Sequence, residues 1–282
     1  MSASAAPPWP VRRLQPTAAA PWRPTLWASL LCGVALLLAA PDVRAQTPVD
    51  LALVLAVDSS ASVDESEFAL QRGGMAQAFR DPEVIKAIES GPFKRIAVTV
   101  VEWAGHADQA IDIPWTVVDG AAGALDLADR IDGLERQILT GATSIAGALS
   151  FANSLLLSHP FEADRLVIDL SGDGRNNQGP PVETIRKGVV AQGVTINGLA
   201  IVNEHPTLNY YFEDRVIGGT AAFVEVANDY GDYPRAIRRK LIREIRTMNI
   251  SAPSVPTPQG TARAWRPDAT ELATLPAASE RW

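Results

Sequence analysis

Apolar and polar positions along this chain fall into blocks of two alternating kinds. Val49–Val57 (VDLALVLAV) is an almost unbroken apolar run, the pattern of a strand buried on both faces, and Arg95–Trp103 (RIAVTVVEW) repeats it. Arg165–Leu170, Val194–Ile201 and Ala222–Val226 read as further buried strands. Gln109–Trp115 is shorter and alternates, as an edge strand does. Between these runs the apolar spacing becomes helical. It predicts helices over Ser66–Arg80, Pro82–Glu89, Ala121–Leu134, Ser144–Leu157, Val182–Gln192, Asn209–Ile217 and Tyr233–Arg246. Pro181, just before the fifth of these, suits a first turn. Strand followed by helix through most of the chain implies an α/β domain with three layers: a mostly parallel Rossmann-like sheet, one short antiparallel edge strand, and helices on both faces. Ligands of such sheets bind at the carboxyl ends of the strands.

The two ends of the chain do not fit this pattern. Arg12, Arg13 and Arg23 precede an apolar run from Leu26 to Ala40, and Val43-Arg44-Ala45 offers a small residue at a cleavage point. A run of about fifteen residues is short of the roughly twenty needed to span a bilayer. Residues 1–45 therefore read as a secretory signal peptide, with an uncleaved anchor as the alternative, and they place the protein in the periplasm or outside the cell. Residues 251–282 are dense in Pro, Ser, Thr and Ala and read as a flexible tail. The expected organisation is thus signal 1–45, domain 46–250 and tail 251–282, with no membrane span once the signal is removed.

Composition narrows the chemistry. The chain's only cysteine, Cys32, lies in the signal, so the exported part holds no disulfide. Residues 1–45 hold four Arg and one Asp; without them the 25 basic and 32 acidic residues of the chain fall to 21 and 31, a net charge of −10. Such a field disfavours nucleic acid and anionic membranes as partners. Arg238-Arg239-Lys240 accordingly reads as the solvated face of the last helix, and His106, His159 and His205 as surface or loop residues matching no ligand spacing. Glu102, Trp103, Asn176 and Asn177 either border a site or simply finish a strand and a turn.

Three polar motifs lie at expected strand ends or in a loop entering a helix. They are Asp58-Ser59-Ser60-Ala61-Ser62, Gly141-Ala142-Thr143-Ser144 and Gly172-Asp173-Gly174. Each has a plain local explanation: Ser62 or Asp64 as a helix cap, Thr143 as another, Asp173 as a turn residue. Together they also assemble two carboxylates and three hydroxyls, oxygen donors of the kind a hard divalent cation takes. In order and spacing, Asp58-x-Ser60-x-Ser62, Thr143 and Asp173 resemble the metal-ion-dependent adhesion site of the von Willebrand factor type A domain. The likeness spans Val49 to Met248 and is nearest to a family of exported bacterial proteins of uncharacterised function. Ser171 and Ser144 depart from the threonines common in that family, but neither is a proposed ligand.

The resemblance implies Mg²⁺, with Mn²⁺ or Ca²⁺ as alternatives, held by Ser60, Ser62 and Thr143, with Asp58 and Asp173 in the water-mediated shell. It also implies an open position that captures an Asp or Glu of a partner protein, and hence a binding module that is not an enzyme. Two alternatives are a metal-dependent hydrolase or phosphatase, and an architectural subunit with a purely structural metal. Against a phosphatase, Ser60 stands where a second nucleophile-site Asp would be needed, and no Gly-x-Ser-x-Gly elbow or phosphate loop is present.

Overall fold

The computed structural model describes residues 46–246. The expected signal 1–45 and tail 251–282 lie outside them. Strand β2 (Ala52–Asp58) is central in a six-stranded sheet of order β4-β3-β2-β6-β7-β8, formed with β3 (Arg95–Trp103), β4 (Gln109–Asp119), β6 (Leu166–Gly172), β7 (Val194–Ile201) and β8 (Val224–Ala227). All neighbours are parallel except β3 and β4. The alternation within β2 shows how both faces are filled. Leu53, Leu55 and Val57 point into one core with helices α1 (Glu65–Arg80), α2 (Pro82–Glu89), α3 (Gly120–Asp132) and α7 (Tyr233–Arg246). The smaller Ala52, Val54 and Ala56 point into the other, with α4 (Ile145–Leu157), α5 (Val182–Val190) and the short α6 (Leu208–Tyr211). The three-layer, mostly parallel architecture is the one expected.

Several boundaries differ from expectation for physical reasons. The run Val49–Val57 is not one strand. Thr47–Val49 (β1) pairs in parallel with Phe161–Ala163 (β5) as a separate two-stranded sheet. The chain changes sheet at buried Asp50, whose carboxylate accepts from the backbone N–H groups of Phe93 and Arg95. The antiparallel edge strand β4 is not short: it runs eleven residues, to Asp119. Its irregular register opposite Val98–Val101 accommodates Pro114, which an edge strand tolerates because one side of its ladder is unpaired. Helix α6 continues into a π-helical turn at Phe212–Val216. Asp64 caps α1 in a capping box with Glu67, and Ser144 caps α4 by accepting from Gly147. Neither Ser62 nor Thr143 serves as the cap.

One expectation is overturned outright. Lys240 is not on a solvated face but fully buried, its Nζ 2.6 Å from both Asp169 Oδ1 and Glu244 Oε1. Arg238 and Arg239 do lie outside, paired with Asp81 and Glu225. His159 lies in a loop, as expected, where it stacks on Phe161 and meets the edge of Trp115, and partial burial lowers its pKa. Among the described residues no helix is long and apolar enough to cross a membrane.

Candidate metal centre

The three motifs meet at the carboxyl end of the sheet. Strand β2 ends in Asp58, whose Oδ1 accepts from the Ser60 backbone N–H at 2.8 Å. That turn brings the Ser60 and Ser62 hydroxyls to 3.2 Å from each other. Ser62 Oγ then donates to Asp173 Oδ1 at 2.8 Å, joining the end of β2 to the end of β6. The approach of the two strand ends depends on Gly172. A Cβ there would stand 2.9 Å from Asp58 Oδ2 and 3.2 Å from the Trp103 ring. Gly174 similarly packs against Thr143, its missing Cβ 3.5 Å from Thr143 Oγ1. Asp58 and Ser60 are fully buried, while Ser62, Thr143 and Asp173 line a cleft of about 320 Å³. All five sequence-predicted residues are therefore brought together.

Thr143 is positioned by its neighbours rather than by a helix cap. Its backbone N–H donates to Asn177 Oδ1 and its carbonyl accepts from the Asn177 N–H, both at 2.9 Å. Asn176 Oδ1 accepts from Ala146 at the first turn of α4. These asparagines thus brace the Thr143 loop, which goes beyond the polar turn that explained them equally well from sequence. Glu102 does not face the cleft: its carboxylate accepts from the backbone N–H groups of Gln137 and Ile138, pinning the segment that leads to Thr143. Arg136 in that segment donates to the carbonyls of Ser59 and Ser60. Sequence reasoning missed Arg136 and Tyr230. The Tyr230 hydroxyl donates to Asp173 Oδ2 at 2.8 Å, so both oxygens of that carboxylate are occupied. Of the histidines, His205 is in a loop as expected, but that loop borders the cleft.

The electrostatics are unresolved within the protein. Burial, then the charge of Asp173, pushes the Asp58 carboxyl up to about 7 against the opposing hydrogen bond of Ser60. Burial and the same two acids raise the Tyr230 phenol. Asp58 Oδ2 is buried without a hydrogen-bond partner, and the nearby Asp173 backbone N–H only opposes the rise of the Asp58 pKa. Neither acid forms an ion pair with a described basic residue. An orphaned carboxylate oxygen, a second acid and three hydroxyls fit a hard divalent cation, which would reverse the electrostatic penalty. Among the described residues no three His, Cys, Asp or Glu side chains converge for a metal, so coordination here depends on the hydroxyls.

Similar solved structures include the pilus adhesin SpaC from Lactobacillus rhamnosus GG, 11% identical over 72% of this chain and 31% of its own, with a TM-score of 0.51. Also similar are proximal thread matrix protein 1 from the mussel byssus with a zinc-occupied MIDAS motif (16% identity, 70% and 46% coverage, TM-score 0.48) and a von Willebrand factor type A protein from Catenulispora acidiphila (16%, 70% and 43%, 0.48). The chain spans less than half the length of each, and at 11% identity the likeness to the adhesin bears on fold alone. No curated protein matches the chain. A family model does match, over residues 48–249, nearly the whole described domain. The chain belongs to the family described as "Protein of unknown function (DUF1194)".

Proposed function

We propose that this protein is an exported, metal-dependent binding module rather than an enzyme, acting in the periplasm or outside the cell. Ser60, Ser62 and Thr143 hold a divalent cation directly, with Mg²⁺ the first choice and Mn²⁺ or Ca²⁺ alternatives. Asp58 and Asp173 surround it, and its open position takes a carboxylate from a partner protein. The observation that carries this reading is the pair of buried acids, one with an orphaned oxygen, placed beside buried Ser60 and beside Ser62 and Thr143 at the edge of a cleft. Two carboxylates balance a divalent charge without exceeding it. Neutral hydroxyls leave the ion electrophilic toward one more anionic ligand. The Ser60 and Ser62 hydroxyls hydrogen-bond to each other and Ser62 donates to Asp173, so these oxygens are already gathered around one point where an ion would sit.

Affinity capture from envelope extracts tests this, run with Mg²⁺ and with EDTA on the natural chain and on Thr143→Ala. The module reading expects a protein retained only by the natural chain in Mg²⁺. Retention that survives both EDTA and Thr143→Ala would sink it. A metal-linked rise in Tm without any metal-dependent capture would point to the architectural role instead.

A further inference from the structure

The cleft carries a cation that the metal reading does not use. Arg175 follows directly on Asp173-Gly174, is exposed, and lines the cleft with Ser62, Thr143 and Asp173. Its guanidinium is fixed in two ways: Nη2 donates to Thr207 Oγ1 at 3.1 Å, and Cζ lies 5.4 Å from the centre of the Tyr211 ring. Both partners are neutral, and Arg175 forms no ion pair with a described carboxylate. Its charge is therefore positioned but not neutralised. An Arg paired with an acid, as Arg215 is with Glu183 and Asp214, would have little left to offer a ligand. On the same rim stands Glu204, also outside any described ion pair.

We infer that Arg175 is the specificity-determining residue of the site, holding the second oxygen of the carboxylate whose first oxygen meets the metal. This rests on the metal-binding reading above. A planar guanidinium fork held in one orientation suits an acceptor that presents two coplanar oxygens. Glu204 then sets the permitted charge. A divalent cation with Asp58 and Asp173 is neutral in sum, and so is Arg175 with Glu204. One carboxylate adds a single negative charge to the cleft, whereas a dianion adds two beside an acidic rim. The ligand selected is a singly charged carboxylate, an Asp or Glu side chain or a chain terminus, in preference to sulfate or phosphate.

The test uses the full chain loaded with Mn²⁺, with solvent-proton relaxation reporting displacement of water from the ion. Acetate and sulfate are titrated separately. For the natural chain, acetate displaces water at lower concentration than sulfate does. Arg175→Ala raises the acetate requirement about tenfold, the size of one charge-assisted hydrogen bond, with Mn²⁺ affinity unchanged. Arg175→Lys, which keeps the charge without the fork, falls between. Glu204→Gln improves sulfate several-fold and leaves acetate within twofold. An Arg175→Ala chain that binds Mn²⁺ and titrates with acetate like the natural chain overturns the assignment. Mn²⁺ binding with no acetate response in the natural chain overturns it and the adhesion reading while leaving the metal site standing. No Mn²⁺ binding at all overturns the metal site itself.

Discussion

Gly172 is the residue on which the junction of β2 and β6 depends. Any side chain there must displace the Asp58 carboxylate or the Trp103 ring, both fully buried and closely packed. Gly172→Ala is expected to lower stability by about 1–3 kcal/mol, the usual cost of one extra methyl in a filled core. It should also weaken metal-linked stabilisation, because the atom displaced first is Asp58 Oδ2. Denaturant unfolding with and without Mg²⁺ measures both; an unchanged Mg²⁺ increment would show that Asp58 does not serve the ion. Tyr230 offers a milder probe. Tyr230→Phe removes the donor to Asp173 Oδ2 while keeping the ring in its core position. The fold should lose only about 1 kcal/mol, whereas Mg²⁺ affinity, read by calorimetric titration, should fall roughly tenfold as the carboxylate loses its orientation. The five oxygen-bearing residues were legible in the sequence because each follows a strand or enters a helix in a fixed motif. Tyr230 was not, since nothing in Asp229-Tyr230-Gly231 separates a buried hydroxyl aimed at a distant acid from an ordinary turn.

At the scale of elements, β6 and α7 are joined by polar contacts that continue from the metal centre into the core. Asp169 and Ser171 alternate along β6, and Asp173 follows directly after it, so all three fall on its α7-facing side. Asp173 meets Tyr230 just before α7, Ser171 lies close enough to Tyr233 in its first turn to act on its pKa, and Asp169 meets Lys240. Glu244 completes the cluster, its Oε1 accepting from Lys240 and from Asn197 of β7. Two acids share one ammonium in a buried site, and Asp169 Oδ2 and Glu244 Oε2 have no partner. Removing the cation by Lys240→Met should therefore cost about 3–5 kcal/mol. Burial first, and then Asp169, raises the Glu244 carboxyl from 4.5 to about 8, against the lowering effect of Lys240 and Asn197. The folded domain holds a proton that the unfolded chain releases. Its contribution to stability is complete below about pH 4.5 and is lost as pH rises through 8. Asp58 and Asp112, both raised to about 7, act in the same direction but are largely ionised by pH 8, so Glu244 dominates the interval from about pH 8 to 9. Tm should fall across that interval and stay nearly flat in Glu244→Gln; equal slopes would refute the buried proton. The sequence held a sign of this cluster. Tyr233, Ala236, Ile237, Lys240, Leu241, Glu244 and Ile245 form one helical stripe, and Lys240 looked solvent-facing only because it follows Arg238-Arg239. Short β1 and β5 left no sign, because three residues are too few to establish a period.

For the whole molecule, the metal centre joins three separate stretches of chain: the end of β2, the loop entering α4 and the end of β6. A cation that binds only when all three are folded stabilises the domain by mass action, by about 2.7 kcal/mol at a hundredfold excess over Kd. For a domain of this size that corresponds to a rise in Tm of roughly 5–10 °C, reversed by EDTA. Any site bound only in the folded state would do the same, so the decisive comparison involves charge. Without metal, Asp58 and Asp173 repel across a buried gap, with Asp58 Oδ2 unpartnered. Asp58→Asn removes that repulsion while keeping an oxygen able to accept from the Ser60 N–H. At pH 8, where the natural Asp58 carries its charge, the metal-free Tm of Asp58→Asn should be no lower than that of the natural chain. Its response to Mg²⁺ should nevertheless be lost. The two unfolding curves then change order between EDTA and Mg²⁺, which a purely structural aspartate cannot produce. If Asp58→Asn lowers Tm equally in both conditions, the buried acid serves the turn after β2 and not a cation, and the metal reading of this site fails.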